Sequence, residues 1–170
     1  MRTIDSIILL AMRDALERSS EPPSIPYVPH PMEVCRLVLA CGGSQISACA
    51  AVLHEVVALG QMSETEVEQR YGRAVAERVQ SLCAQQAEDE ESLLLLCADR
   101  VVHLVRWGNM TPPESLVRQL NQLHLAVLRL DALARQVLTQ QLDSLQPLPV
   151  VQSVPTRRPA RPRKFRRIGV

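Results

Sequence analysis

Apolar residues recur along this chain at the spacing of a helix face, and no segment shows the alternation of a strand or the turn signal of a hairpin. Thr3 can cap a first helix that carries Ile4, Ile7, Ile8, Ala11, Ala15 and Leu16 on one side. Residues 19–31 then form a loop, because Pro22, Pro23, Pro26, Pro29 and Pro31 exclude a helix interior. Pro31 suits the first turn of a second helix over 32–40. Gly42 and Gly43 interrupt it, and Ser44 opens a third helix that runs to about residue 59 and stops at Gly60. Ser63 with Glu66 has the pattern of a capping box for a short fourth helix ending near Gly72, and a fifth follows over 74–86. The acidic run 88–91 suits the positive end of a sixth helix, which extends to Trp107 and ends at Gly108. Thr111, Pro112 and Glu114 mark the start of one last helix reaching about residue 145. There is no internal repeat.

A chain of 170 residues supports one domain with a real core. Hydrophobic residues make up 46% and aromatics only 2%, so that core is built from Leu, Val, Ala and Ile, which suits packed helices. The expectation is an all-α, compact multi-helix bundle over residues 1–146. Trp107 and Phe165 leave almost nothing for stacking bases, which argues against a single-strand nucleic-acid platform.

The net charge of +1 hides an uneven distribution. Beyond Gln146 lie Arg157, Arg158, Arg161, Arg163, Lys164, Arg166 and Arg167 with no acidic residue, leaving 12 basic against 18 acidic residues in the body. The Pro- and Arg-rich stretch 147–170 is expected to be a disordered basic tail. It can bind nucleic acid or an acidic partner by counterion release, or serve only as a solvated end. The five cysteines, Cys35, Cys41, Cys49, Cys83 and Cys97, are odd in number and lack CxxC spacing, which favours reduced, mostly buried thiols in a cytoplasmic protein. The apolar run 7–12 is too short to span a membrane, and no signal peptide is apparent.

Four residues stand out chemically. His30 lies at a loop–helix junction, His54 and Glu55 are adjacent in an otherwise apolar helix, and Asp99 sits in another apolar helix. Such groups are costly to bury unless paired, exposed or bound to a metal, and imidazole with carboxylate suits Mn, Fe or Zn. The alternative is a set of ordinary boundary residues, and spacing alone leaves both open.

The stretch Pro26-Tyr27-Val28-Pro29-His30-Pro31, then Ala51-Val52-Leu53-His54-Glu55-Val56-Val57, then Arg70-Tyr71-Gly72 with Val75-Ala76 and Val79, and finally Cys97-Ala98-Asp99-Arg100, resembles in order the motifs of the RelA/SpoT-type HD domain. The likeness covers roughly residues 27–106. It implies a helical HD bundle that binds a metal, usually manganese, and removes the 3′-diphosphate of (p)ppGpp, a guanine nucleotide. It also implies His30, His54, Glu55 and Asp99 as metal ligands, with Arg100 and Tyr27 contacting substrate. Glu55 stands where that family has Asp. The family's water-orienting Glu-Asp pair is replaced by Ala58 and Leu59, and the basic stretch before the first motif is missing. His103 stands in place of an Asn and lies at i+4 from Asp99, so it shares a helix face with it and is a candidate catalytic base; the alternative is a boundary histidine. His124 reads as structural. These departures raise a second possibility, a catalytically inactive HD domain acting as a nucleotide- or protein-binding regulatory module. A third is a polyanion-binding protein acting through its basic tail.

Overall fold

A computed structural model describes residues 4–18, 29–107 and 113–145. Among these there are eight α-helices and no strand: α1 (Ile4–Arg18), α2 (His30–Ala40), α3 (Gln45–Ala58), α4 (Glu64–Tyr71), α5 (Arg73–Cys83), α6 (Glu90–Trp107), α7 (Pro113–Val127) and α8 (Ala132–Asp143). The all-α expectation holds. The Thr3 cap, the turn at Gly108, Thr111 and Pro112, and the basic tail with its boundary at 146–147 lie outside the described residues. No described helix is long and apolar enough to cross a membrane.

Helix α3 is the centre of the bundle and packs against α1, α2, α5 and α6. Its run from Ala48 to Leu53 is buried on every side. A helix apolar all round is stable only when neighbours surround it, and the small side chains of Ala48, Cys49, Ala50 and Ala51 let them come close. Ser44 caps α3, its hydroxyl accepting the Ser47 amide at 3.2 Å. Glu91, at the start of α6, closes over the same terminus. One carboxylate oxygen accepts the Ser44 amide at 2.7 Å, and the other accepts the Ser44 and Ser47 hydroxyls, each at 2.6 Å. Burial pushes the Glu91 carboxyl up, but these hydrogen bonds outweigh it and hold the group below its ordinary value.

Helix α1 is fastened to α4 by a buried carboxylate. Asp14 accepts a hydrogen bond from the Tyr71 hydroxyl and an ion pair from Arg70 at 2.5 Å. Burial and the Asp14 carboxylate together push the Tyr71 hydroxyl well above its usual range. The Ser63 hydroxyl caps α4 through the Glu66 amide as expected, but the Glu66 carboxylate turns to Arg18 and Arg70.

Helix α2 begins at His30, two residues before the expected start, and two further element boundaries differ from the sequence reading. Helix α5 stops at Cys83, short of residue 86, because Gln85 adopts φ 58° and Gln86 donates back to the Ser81 carbonyl at 2.9 Å. The last helix is two helices. The chain leaves α7 after Val127, and Asp131 caps α8 by accepting the Ala134 amide at 2.8 Å. Leu130, buried in the connection, anchors the break against the core.

Candidate metal centre

Three helices deliver one side chain each to a common point. Pro29 precedes α2 in an extended conformation, and His30 is its first residue, held buried where the helix begins. His54 comes from the last turn and a half of α3, and Asp99 from the middle of α6. The His30 Nε2 lies 2.9 Å from Asp99 Oδ1, and the His54 Nε2 lies 3.5 Å from the same oxygen. The two imidazoles meet edge to face, with centroids 5.6 Å apart. One ligand atom from each of His30, His54 and Asp99 lies within 4.8 Å of the others.

The hydrogen bonding of His54 shows what this cluster suits. Its Nδ1 lies 2.7 Å from the Ala51 carbonyl oxygen, which can only accept, so Nδ1 carries the proton. Burial pulls the His54 pKa below its ordinary value, against the attraction of Asp99, so the ring is neutral near pH 7. A neutral ring protonated at Nδ1 presents a bare lone pair at Nε2. That lone pair faces a carboxylate oxygen, and two acceptors in that position call for a cation between them. Asp99 is ionised: burial pushes its carboxyl up, but the His30 hydrogen bond and the nearby charges bring it below the usual range. The two ring nitrogens lie 2.9 Å and 3.5 Å from Asp99 Oδ1, and all three ligand atoms lie within 4.8 Å of one another, close enough for one ion to meet them all. The donor set therefore fits a divalent transition metal, with the Ala51 carbonyl setting the tautomer of a ligand histidine.

The structure does not bring every expected residue to this point. Glu55 is exposed and stands outside the three-residue group. Ala58 and Leu59 close α3 at the surface, Leu59 being 65% exposed, and supply no carboxylate there. His103 is one turn beyond Asp99 on α6 and more exposed; partial burial lowers its pKa, with Asp99 acting in the opposite sense. Arg100 is exposed and donates to the Gln85 side-chain oxygen. Tyr27 lies outside the described residues. His124 donates to the Leu120 carbonyl at 2.8 Å within its own helix, the structural role expected of it.

One neighbour of the centre was not apparent from the sequence. Cys35, Cys41, Cys49 and Cys97 are buried thiols, but Cys83 is exposed and its sulfur lies 3.7 Å from the His54 carbonyl oxygen. Its polar neighbours Gln80, Ser81, Gln85 and Gln86 are the one sequence feature that sets it apart from the other four.

The HD domain family matches residues 9–106, from α1 through the end of α6, and this stretch contains all three clustered side chains. The chain belongs to the HD domain family. No curated protein and no solved structure matches it. The HD frame is a metal-dependent phosphohydrolase type of fold, and its members typically bind divalent metals. Helices α7 and α8 lie beyond the matched stretch.

Proposed function

We propose that this HD domain binds a divalent metal, Mn or alternatively Fe or Zn, through His30, His54 and Asp99, and hydrolyses a phosphate ester of a nucleotide resembling (p)ppGpp. The observation that carries this reading is the convergence of His30, His54 and Asp99, whose ligand atoms lie within 4.8 Å of one another. A divalent ion held there supplies positive charge to a phosphoryl oxygen and lowers the pKa of water. Around it, Arg100 offers a cation for substrate phosphate, and His103 is the proton acceptor within one turn of Asp99. Glu55 is exposed and outside the group of His30, His54 and Asp99, so those three would be the protein ligands. The RelA/SpoT-type specificity rests on the ordered motifs around His30, His54 and Asp99.

A second reading is favoured by the surface at the end of α3. With Ala58 and Leu59 there, the carboxylate pair that orients water in the resembled family is missing. Losing such a group costs a factor of about 10² to 10⁴ in rate. The domain would then bind a nucleotide or a protein partner without turnover. The basic tail, with nucleic acid or an acidic partner as its target, is compatible with either reading.

Elemental analysis of the purified full chain beside His54→Ala separates these outcomes, followed by a hydrolysis screen with ppGpp and other nucleotides on the same samples. Near-stoichiometric metal in the wild type and its loss in the variant are expected. Metal-dependent turnover supports the hydrolase, and bound metal without turnover supports the binding module. No metal in either sample, even after reconstitution with Mn, overturns the metal-centre reading.

A further inference from the structure

A cavity of about 480 Å³ lies between α6 and α7, beside the candidate metal centre and separate from it. This volume is in the range of small-molecule sites, roughly 300–1,000 Å³. Its walls are apolar, with Leu96 of α6 facing Leu123 and Ala126 of α7. Three amides, Gln85, Gln119 and Gln122, are set into those walls, and no carboxylate lines it. Two further lining residues, Arg100 and His103, follow Asp99 by one and four positions on the same helix, so the cavity borders the turn of α6 that follows Asp99.

This combination selects a ligand. An apolar wall favours a flat, weakly hydrated ring system, whereas a bare sugar phosphate has no such surface to bury. Amides offer donors and acceptors in one plane, which suits a heteroaromatic edge carrying both. The absence of carboxylates and the presence of Arg100 make the cavity tolerant of an anion in a body whose net charge is negative. Helix α7 lies outside the stretch that matches the HD family, so one wall of the cavity is contributed by a part of the chain that the family frame does not include.

We propose that the α6–α7 cavity is the base-recognition pocket of a nucleotide, with the amides of Gln119 and Gln122 reading the base edge and Arg100 and His103 standing on the phosphate side. The direction assigned to the phosphate rests on the phosphohydrolase reading given above; recognition of the base does not. Gln85 is a positioning residue here. Its side-chain oxygen accepts from Arg100 and its nitrogen donates to the Leu82 carbonyl at 3.1 Å, so it holds the guanidinium at the cavity rim.

Ligand-observed NMR titration of the full chain, with and without chelator, tests this with GMP, AMP and ribose 5-phosphate as probes. At least one nucleotide is expected to bind about tenfold or more tightly than ribose 5-phosphate, which carries the same sugar and phosphate without a base. Ala126→Trp, which fills the cavity from α7, is expected to abolish that preference. Equal binding of all three probes to the wild type, or no binding, overturns the proposal. So does a preference that survives Ala126→Trp in a variant with an unchanged circular dichroism spectrum. If Ala126→Trp does not fold, the Gln119→Ala/Gln122→Ala pair is read in its place, and an unchanged preference again overturns the proposal. The chelated samples keep the two readings apart: a base preference without metal supports the pocket even if no metal site is found, and a metal site without base preference leaves only the centre.

Discussion

Replacing Glu91 with alanine is expected to cost the fold about 2–4 kcal/mol, although the residue lies two helical turns from the candidate centre. Its carboxylate accepts three hydrogen bonds at the N-terminus of α3, from the Ser44 amide and from the Ser44 and Ser47 hydroxyls, at 2.6–2.7 Å. Hydrogen bonds to a charged group contribute roughly 1.5–3 kcal/mol, and several on one carboxylate are not additive. A negative charge at a helix N-terminus adds about 0.3–1 kcal/mol. Ser47 is fully buried, so its hydroxyl is left with only the weak 3.4 Å contact to Ser44 when the carboxylate is removed. The assay is urea denaturation followed by circular dichroism at pH 7, read as a fall in midpoint at constant slope. The pH dependence has a defined sign. Because the folded-state pKa is depressed, the stabilisation is complete above the ordinary value of 4.5 and is lost as pH falls through the lower folded value. The gap between wild type and variant therefore narrows on acidification. Because Glu91 pins α6 to α3, the variant should also bind metal more weakly, as Asp99 loses its register against His54. A destabilisation under about 0.5 kcal/mol at pH 7 would refute the reasoning, since it lies within the scatter of an ordinary surface substitution.

Two further substitutions probe the frame. In Gly43→Ala the new Cβ would lie 2.6 Å from a Val38 methyl and 2.9 Å from the Val38 carbonyl oxygen, so the α2–α3 turn must open. A loss of about 1–3 kcal/mol is expected in the same denaturation assay, and a neutral result would mean that the turn gives way without cost. Tyr71→Phe removes the hydroxyl that donates to the buried Asp14, leaving Arg70 and Arg13 as its partners. About 1.5–3 kcal/mol should be lost by thermal melting, and a variant as stable as wild type would show that the arginines alone satisfy the carboxylate.

The helices were legible where the chain carries local punctuation. Pro29 and Pro31, Gly60, Gly72 and the capping serines Ser44 and Ser63 each mark a boundary through a backbone restriction or a side-chain cap, and the structure uses each of them. The break between α7 and α8 has no Gly or Pro. Its one signal is the Asp131 cap, which reads like any exposed acid until Leu130 is seen buried beside it. Asp14 was opaque for the converse reason. An Asp on a first helix reads as solvent-facing, and only the approach of Arg70 and Tyr71 from α4 makes it a buried anchor. At the centre, the order of motifs pointed to His30, His54 and Asp99, which the fold brings together, and to Glu55, which is exposed beside His54.

The geometry divides metal binding from water activation more sharply than the motifs do. The proposed metal binding would draw on three donors from three helices, and their support is intact: Pro29 before His30, the Ala51 carbonyl on His54, and Glu91 holding the helix of Asp99 against α3. Water activation in the resembled family draws on the turn of α3 that follows the ligand histidine, and in this chain that turn ends in Ala58 and Leu59. Ala58 and Leu59 themselves supply no proton acceptor. The opposite wall is α6, where His103 stands one turn beyond Asp99 and lines the cavity that runs on toward α7. In the proposed hydrolase, His103 would then take the proton on the α6 side, beside the proposed nucleotide pocket. Chemistry and recognition would then share His103. A His103→Ala variant should lose turnover while retaining metal, and a variant that keeps full turnover would place the acceptor elsewhere.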